Sequence, residues 1–462
     1  MSALEPPTFR PAAAVKGKTW SVGSLIYDER GLRFLFAWLL WGDFAWSIRD
    51  RTVIPVLQMV LKSQEVSDTL AGILMGTLPA ALGFVLGPVA ATWSDRHRGR
   101  RGRRIPFLLA SAPAAAAAIV GLGLSPWIGG WLHHALGPSS PGAGACVVVA
   151  IALCWAFFDV ATTMTNGLFG ALINDVVPSS VMGRFYGLFR AVSLVVGIVF
   201  NFWLLGKAEA HFTPLFIGVG AIYGIGVVSM CLKVREGSYP PPEAIEGSGA
   251  GRWFRSASLF FRHGFSRPYY LWFFFGCAFG GLATVPVNLY QVFFAKSLGM
   301  SMETFGAYSA GMFAVSLGLA YFIGSLADRF HPLPLTIAVL LLYGVVGVIG
   351  FAFIRDSLTF GIALLVNGVV AGTFYTVSGS LGQRILPRAS FAQIGAAGGL
   401  ISGVFNIVAP VLIGGALDLR GHDYRWTFLM GGVLAFFAAG CLAVVYRGWL
   451  RYGGAEHYAA PE

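Results

Sequence analysis

Residues 69–96 read TLAGILMGTLPAALGFVLGPVAATWSDR, and the next eight, 97–104, read HRGRRGRR. From Thr69 to Ser94 no side chain is charged. A bilayer core about 30 Å thick needs about 20 apolar residues, each rising about 1.5 Å along a helix. The run is therefore long enough to cross a membrane. The basic cluster behind it marks the side on which the crossing ends, because loops rich in Lys and Arg stay on the cytoplasmic face.

The rest of the chain repeats this pattern. Of 462 residues, 56% are hydrophobic and 11% charged, with mean hydropathy +0.70, whereas a soluble domain carries roughly 25% charged residues. Apolar runs between charged or Pro/Gly breaks place helices near 33–61, 69–93, 105–125, 145–172, 185–206 and 212–232. A second set follows near 269–295, 304–327, 333–354, 358–383, 391–417 and 425–446. The expected fold is an all-α membrane protein with twelve transmembrane helices in two six-helix bundles.

The domains expected are a cytoplasmic tail 1–32, a first bundle 33–232, a linker 233–268, a second bundle 269–446 and a cytoplasmic tail 447–462. The linker holds Tyr239-Pro240-Pro241-Pro242 and Gly247-Ser248-Gly249-Ala250-Gly251, a composition that forms no packed core. The first thirty residues lack the short apolar core of a signal peptide, so they read as a tail.

Sidedness follows from sorting the 32 Lys and Arg residues with the N-terminus inside. Segments on the inner side take 23 and outer loops only 6, while Arg49, Arg51 and Arg190 fall within helices. An odd error in the number of spans would put the second half's basic loops on the wrong side. Both termini are expected in the cytoplasm, with the plasma (inner) membrane as the location.

The net charge of +11 lies in short loops between spans, so a nucleic-acid partner is not expected. Cys146, Cys154, Cys231, Cys277 and Cys441 lie in or at the ends of apolar runs without His neighbours, which indicates neither a disulfide framework nor a metal site. No Ser-His-Asp set or phosphate-binding Gly loop occurs at usable spacing, so neither an enzyme nor a cofactor is expected. His133 and His134 fall in an outer loop and read as polar cover.

The two halves echo one another weakly, as in transporters built from two bundles related by an axis along the membrane normal. Ser94-Asp95-Arg96 follows the second span and Ser325-Leu326-Ala327-Asp328-Arg329 the eighth, 233 residues later for the Asp-Arg pair. This predicts a duplicated gating element made of Asp95, Arg96, Arg103, Arg104, Asp328 and Arg329. Asp95 and Asp328 are expected to bond to neighbouring helix ends when the inner side is shut.

The stretch Gly87-Pro88-Val89 through Trp93-Ser94-Asp95-Arg96 to Gly102-Arg103-Arg104-Ile105-Pro106-Phe107 resembles the second-to-third-helix loop of the glycoside-pentoside-hexuronide:cation symporter group of the major facilitator superfamily. The likeness is to its sucrose-transporter and animal proton-sugar-transporter branch. Phe158-Asp159-Val160-Ala161-Thr162-Thr163-Met164, Gly167 and Ala171-Leu172-Ile173-Asn174-Asp175 resemble the fourth helix of the same branch. The resemblance implies a proton-accepting role for Asp159 and a sugar as substrate. One departure concerns Gly170, where plant sucrose carriers have Arg; sucrose itself is thereby less supported.

Ionisable side chains inside a bilayer are expensive and usually face a cavity. The first half holds Asp43, Arg49, Asp50 and Arg51 on helix 1, Asp159 on helix 4 and Arg190 on helix 5, while the centres of the second half's spans hold no Asp, Glu, Lys or Arg. Coupling is thus expected in the first bundle. Asp159 sits near the midplane with Arg190 as its expected partner, either as a tuning cation or as a static ion pair. Asp43 is expected to face substrate or proton, and Asp50 with its arginines to form an outer-vestibule cluster.

For substrate, the candidates are Asp43 with the aromatic faces Trp41, Trp46 and Trp155, which would pack against the apolar side of a pyranose. Asn288, Tyr290, Gln291, Asn367, Tyr375 and Asn406 add neutral groups suited to sugar hydroxyls or to bonds between helices, with Asn288, Gln291, Asn367 and Tyr375 taken as the substrate candidates. The second span carries no carboxylate, and hard cations want several oxygen ligands, so protons are favoured over sodium. The expected function is a proton-coupled symporter of a neutral sugar or glycoside. The alternatives are a proton-driven exporter of amphipathic molecules and a membrane sensor of the same fold that does not transport. Expected partners are the sugar, protons and the lipid bilayer.

Overall fold

The computed structural model describes residues 18–239, 265, 267–387 and 391–461. Among these, ten helices are long and apolar enough to cross a membrane: Asp68–Arg96, Ile105–Gly123, Ala143–Val176, Ser179–Lys207, Phe212–Lys233, Pro268–Ser297, Pro332–Phe353, Ser357–Ile385, Ile394–Asp418 and Arg425–Arg451. Glu29–Ser63 and Met302–Arg329, with 35 and 28 residues, are long enough as well and complete twelve spans in two bundles. The first is more highly charged than the others because it carries Asp43, Arg49, Asp50 and Arg51 within its length.

The helix starts follow local chemistry. The Asp28 carboxylate accepts from Gly31 N–H, Ser67 Oγ from Leu70 and Ser301 Oγ from Thr304, so these side chains satisfy backbone donors that a first turn leaves open. Asp356 and Thr359 form a reciprocal capping box at the tenth span. The first helix begins at Glu29 rather than near residue 33, and a small hairpin of Trp20–Val22 and Leu25–Tyr27 precedes it where a plain tail is expected.

Among the described residues several spans depart from uniform helix, the fifth with a π-helical turn at Phe200–Leu204 and the tenth with a break between Ser378 and Leu381. The second span contains a π-helical turn at Ile73–Thr77. The seventh breaks between Leu282 and Val285, with Pro286 in the first turn after the break. Proline supplies no N–H, which makes a helix start tolerable there and a continuous ladder impossible. A further helix, Ser125–Leu136, lies between spans three and four, in a stretch expected to be loop.

The chain's other end differs from a free tail. The last span continues to Arg451, and the segment beyond folds back: Tyr458 donates to the Ile385 carbonyl at 2.7 Å and Tyr270 to that of Pro461 at 2.6 Å. Of the expected linker, 240–264 and 266 lie outside the described residues.

The halves meet unevenly. Among the described residues, the side-chain hydrogen bonds that join them lie between mid-membrane and the side opposite the basic loops, from Arg190–Thr376 through Thr77–Ile407 to Lys62–Tyr424. There the backbones nearly touch: a Cβ on Gly306 would strike the Asn201 carbonyl, and one on Gly414 that of Asp68. Toward the basic side, Val85 and Trp93 of the second span and Phe322 of the eighth are 61%, 61% and 69% exposed. The halves are thus joined on the face opposite the basic loops and separate toward the basic one.

Candidate functional site

A cavity of about 530 Å³ lies between the halves. Its wall on the first half is made by Asp50 and Arg51 of the first span and Arg190 and Ser193 of the fifth. The second half contributes Asn288 and Gln291, placed just after the break in the seventh span, with Asn367 and Tyr375 from the tenth. The fold brings these four neutral candidates together, while Tyr290 bonds to the Asp68 carbonyl and Asn406 to that of Ser402, away from the cavity wall. The Tyr375 hydroxyl lies 2.8 Å from Thr284 Oγ1, while Asn367 is 3% exposed and its Oδ1 has no hydrogen-bond donor. A wall of amides and hydroxyls beside guanidinium groups can exchange hydrogen bonds with a polyhydroxy ligand.

The other substrate candidates lie elsewhere. Trp41 donates from Nε1 to Ser229 Oγ at 3.1 Å, on the side of the first span that packs against the sixth. Trp46 stacks on Phe169 inside the first bundle. Trp155 is 3% exposed and donates to the Leu74 carbonyl at 2.6 Å. Asp43 is fully buried, with Ser47 as its hydrogen-bond neighbour and one oxygen without a donor. None of the four lines the cavity. Packing within the first bundle draws the Trp46 and Trp155 rings off the cavity wall, while Trp41, 40% exposed, sits on the bundle's outer side.

The expected partnership of Asp159 with Arg190 is also corrected. Arg190 faces the cavity and donates to Thr376 Oγ1 of the tenth span at 3.0 Å. The arginine packed against the helix of Asp159 is instead Arg49, whose guanidinium lies 5.7 Å from the ring centre of the adjoining Phe158. Arg49 is 4% exposed, with its guanidinium 4.4 Å from the Trp46 ring centre and 5.5 Å from that of Tyr223. Its Nη2 reaches Asn166 Oδ1 at 3.5 Å, and Asn166 is exposed. Asp159 is itself buried, and its Oδ2 has no hydrogen-bond donor. The pair is thus a buried acid and a cation held by rings, with no direct ion pair of 4.0 Å or less between them among the described residues. Arg49 and Arg51 part company because two helical residues point about 200° apart: Arg51 lies over Phe313, 4.6 Å from its ring centre, and donates to Ser193 Oγ at 3.1 Å.

On the basic side, Arg103 grips Asp175 through Nε and Nη2 at 3.0 and 2.7 Å, and Arg104 bonds Asp175 and Asp95. The Asp175 carboxylate raises the Arg103 guanidinium above its ordinary pKa. Glu236, just past the sixth span, accepts from the backbone N–H groups of Arg103, Arg104 and Ile105 at 2.8, 2.8 and 2.6 Å. A carboxylate on a helix N-terminus meets both open donors and the positive end of the dipole. Asp95 therefore bonds within its own half while the basic side is open. Arg96 and Arg329 are exposed, the latter 5.7 Å from the Phe330 ring centre. The Asp328 side chain lies outside the described residues.

The closed face is held by residues that sequence reasoning missed. Asp68, 1% exposed at the head of the second span, accepts from Tyr424 Oη at 2.8 Å and lies 2.7 Å from His422 Nδ1; its carbonyl accepts from Tyr290 at 2.6 Å. In return its N–H, and those of Thr69's backbone and hydroxyl, go to the Asp418 carboxylate. Lys62 donates to Tyr424 Oη at 2.9 Å, and Gln58 to the Asn288 carbonyl at 2.9 Å. Burial, with Asp68 beside it, pushes the Tyr424 hydroxyl well above its ordinary pKa, which keeps it a donor. In the sequence, Asp68 after Ser67 looks like an ordinary helix start, and nothing local links it to residues about 350 positions away.

Comparisons with known proteins agree with this architecture. The family model described as Major Facilitator Superfamily matches residues 39–410. The sucrose transport protein SUC4 of Arabidopsis thaliana is 26% identical over 206 residues, 43% of this chain and 39% of that protein. The proton-associated sugar transporter A of Homo sapiens is 36% identical over 103 residues, 21% of this chain and 13% of that protein. The aligned parts thus span well under half the length of either relative. Among solved structures, a bacterial homologue of the human lysosomal transporter Spinster, inward-facing and occupied, superimposes with a TM-score of 0.65 at 16% identity, covering 93% of this chain and 98% of that one.

Proposed function

The chain belongs to the Major Facilitator Superfamily, and from that premise we propose that it is a proton-coupled symporter of a neutral sugar or glycoside working by alternating access. The observation that carries this reading is the pairing of a cavity walled by amides and hydroxyls with a buried, incompletely bonded acid in the neighbouring bundle. Two relatives are named as a sucrose transporter and a proton-associated sugar transporter, which supports the substrate class and the ion.

In this mechanism the substrate sits among Asn288, Gln291, Asn367 and Tyr375, with Asp50, Arg51 and Arg190 opposite. Asp159 takes up and releases the proton, and Arg49 is its counter-charge. Burial favours the neutral acid and a nearby guanidinium the ionised one, so a small displacement of Arg49 switches the preference. Asn166, exposed and in reach of Arg49, offers the path by which water reaches the pair from the open side. The halves rock about the cavity, the Asp68 cluster sealing one face and the Asp95 and Asp328 regions serving the other. The basic side is the cytoplasm, and the membrane is the plasma (inner) membrane.

The test is uptake of labelled mono- and disaccharides into proteoliposomes under an imposed pH gradient. Asp159→Asn should abolish accumulation against a gradient while leaving exchange of sugar for sugar. Accumulation by the variant equal to that of the wild type would falsify the proton role.

A further inference from the structure

We propose that the pocket where the end of the sixth span meets the start of the third, lined by Arg100, Arg101 and Arg235, binds the phosphate headgroup of an anionic phospholipid from the leaflet on the basic side. The pocket holds about 290 Å³. Its floor is apolar, with Ile105, Cys231 and Val234 each buried, while Leu232 beside it is 56% exposed. Leu232 lies within the membrane-crossing helix Phe212–Lys233 and the arginines lie beyond its end. A ligand seated here meets cations at the surface and hydrocarbon one residue deeper, which is the layout of a phospholipid.

The charge is not already spent. The single acid in the pocket, Glu236, has both oxygens committed to the backbone N–H groups of residues 103–105. Among the described residues, none of Arg100, Arg101 and Arg235 has a hydrogen bond or ion pair. Nor is the loop's shape left to the ligand: Gly102 has φ +99°, and a Cβ there would collide with Glu236, so the loop is set against the linker before anything binds. Three exposed guanidiniums in a fixed cradle suit the oxygens of one phosphate. Basic pockets at this depth are where anionic headgroups gain most over zwitterionic ones.

The experiment uses the full-length protein, purified in detergent and stripped of lipid, titrated with dioleoylphosphatidylglycerol or dioleoylphosphatidylcholine and read by native mass spectrometry. With about a fivefold gain for each of three arginines, the wild type should prefer the anionic lipid by about a hundredfold. The triple variant Arg100→Gln, Arg101→Gln, Arg235→Gln should lose that preference, and the control Arg447→Gln, Arg451→Gln, on basic residues outside the pocket, should keep it. Should the triple variant not purify as a single species, Arg235→Gln and Arg235→Glu take its place, with reversal expected to weaken binding more than neutralisation. Equal binding of the two lipids, a preference that survives the pocket substitutions, or complete displacement by inorganic phosphate, which would mark a site for free anions, each overturns the proposal.

Discussion

Tyr424, on the threshold of the twelfth span, donates its hydroxyl to the buried carboxylate of Asp68 at the head of the second, 2.8 Å away. Through this bond the first bundle is tied to the second on the closed face. Asp418 and His422 complete the tie from the eleventh span and the loop after it. Opening that face requires every one of these bonds to break, and a carboxylate that loses its donors must be rehydrated as they part.

Asp418→Ala should therefore favour the opposite arrangement, open on this face. It removes three hydrogen bonds to a carboxylate, worth about 1.5–3 kcal/mol each before rehydration, and the net shift should be tens-fold in population. A cysteine placed at Ser309 in the cavity, labelled by a membrane-impermeant maleimide from the closed face, should react faster in the variant. An unchanged labelling rate would show that the Asp68 cluster does not hold the gate.

The two arginines of the mechanism should separate kinetically. Arg190→Gln removes a cavity wall and should raise KM for sugar with a smaller change in maximal rate. Arg49→Gln, out of contact with the cavity, should lower proton-driven uptake while sparing sugar exchange. Identical profiles for the two would contradict the division of roles read from their positions.

Gln291→Ala and Asn367→Ala should each raise KM about tenfold, the value of one hydrogen bond of about 1–1.5 kcal/mol to a sugar hydroxyl. Trp155→Phe, which loses the bond to the Leu74 carbonyl and leaves a void where the larger ring packed on Phe158, should lower the thermal midpoint and leave KM unchanged. Thermal unfolding and uptake kinetics on the same preparations check both; a KM effect at Trp155 would restore it to the binding site.

Asp175→Asn should weaken the loop after the second span. Both Arg103 and Arg104 lose a charged acceptor, and the partly buried guanidiniums are left undercompensated, at a cost of about 1–3 kcal/mol. Faster limited proteolysis between Arg96 and Arg104 reads this directly, and Asp175→Glu should restore part of the resistance.

The sequence by itself determined the spans, their number and the gathering of the basic loops on one face. Each is a local property: twenty or so apolar residues demand a helix wherever lipid surrounds them, and a Lys or Arg resists crossing regardless of its neighbours. The polar side chains of the seventh and tenth spans were legible too, as candidates for sugar hydroxyls or for bonds between helices, though not as one shared wall. What tertiary structure alone decided was partnership. Helix phase sends Arg49 inward and Arg51 to the cavity from positions two residues apart, ring packing draws Trp46 and Trp155 away from it, and Arg190 turns to the cavity and Thr376 rather than to Asp159. Asp68 and Asp418 meet only because two bundles close upon one another, and a contact between residues 350 positions apart is fixed by how whole helices pack, which no short stretch of chain encodes.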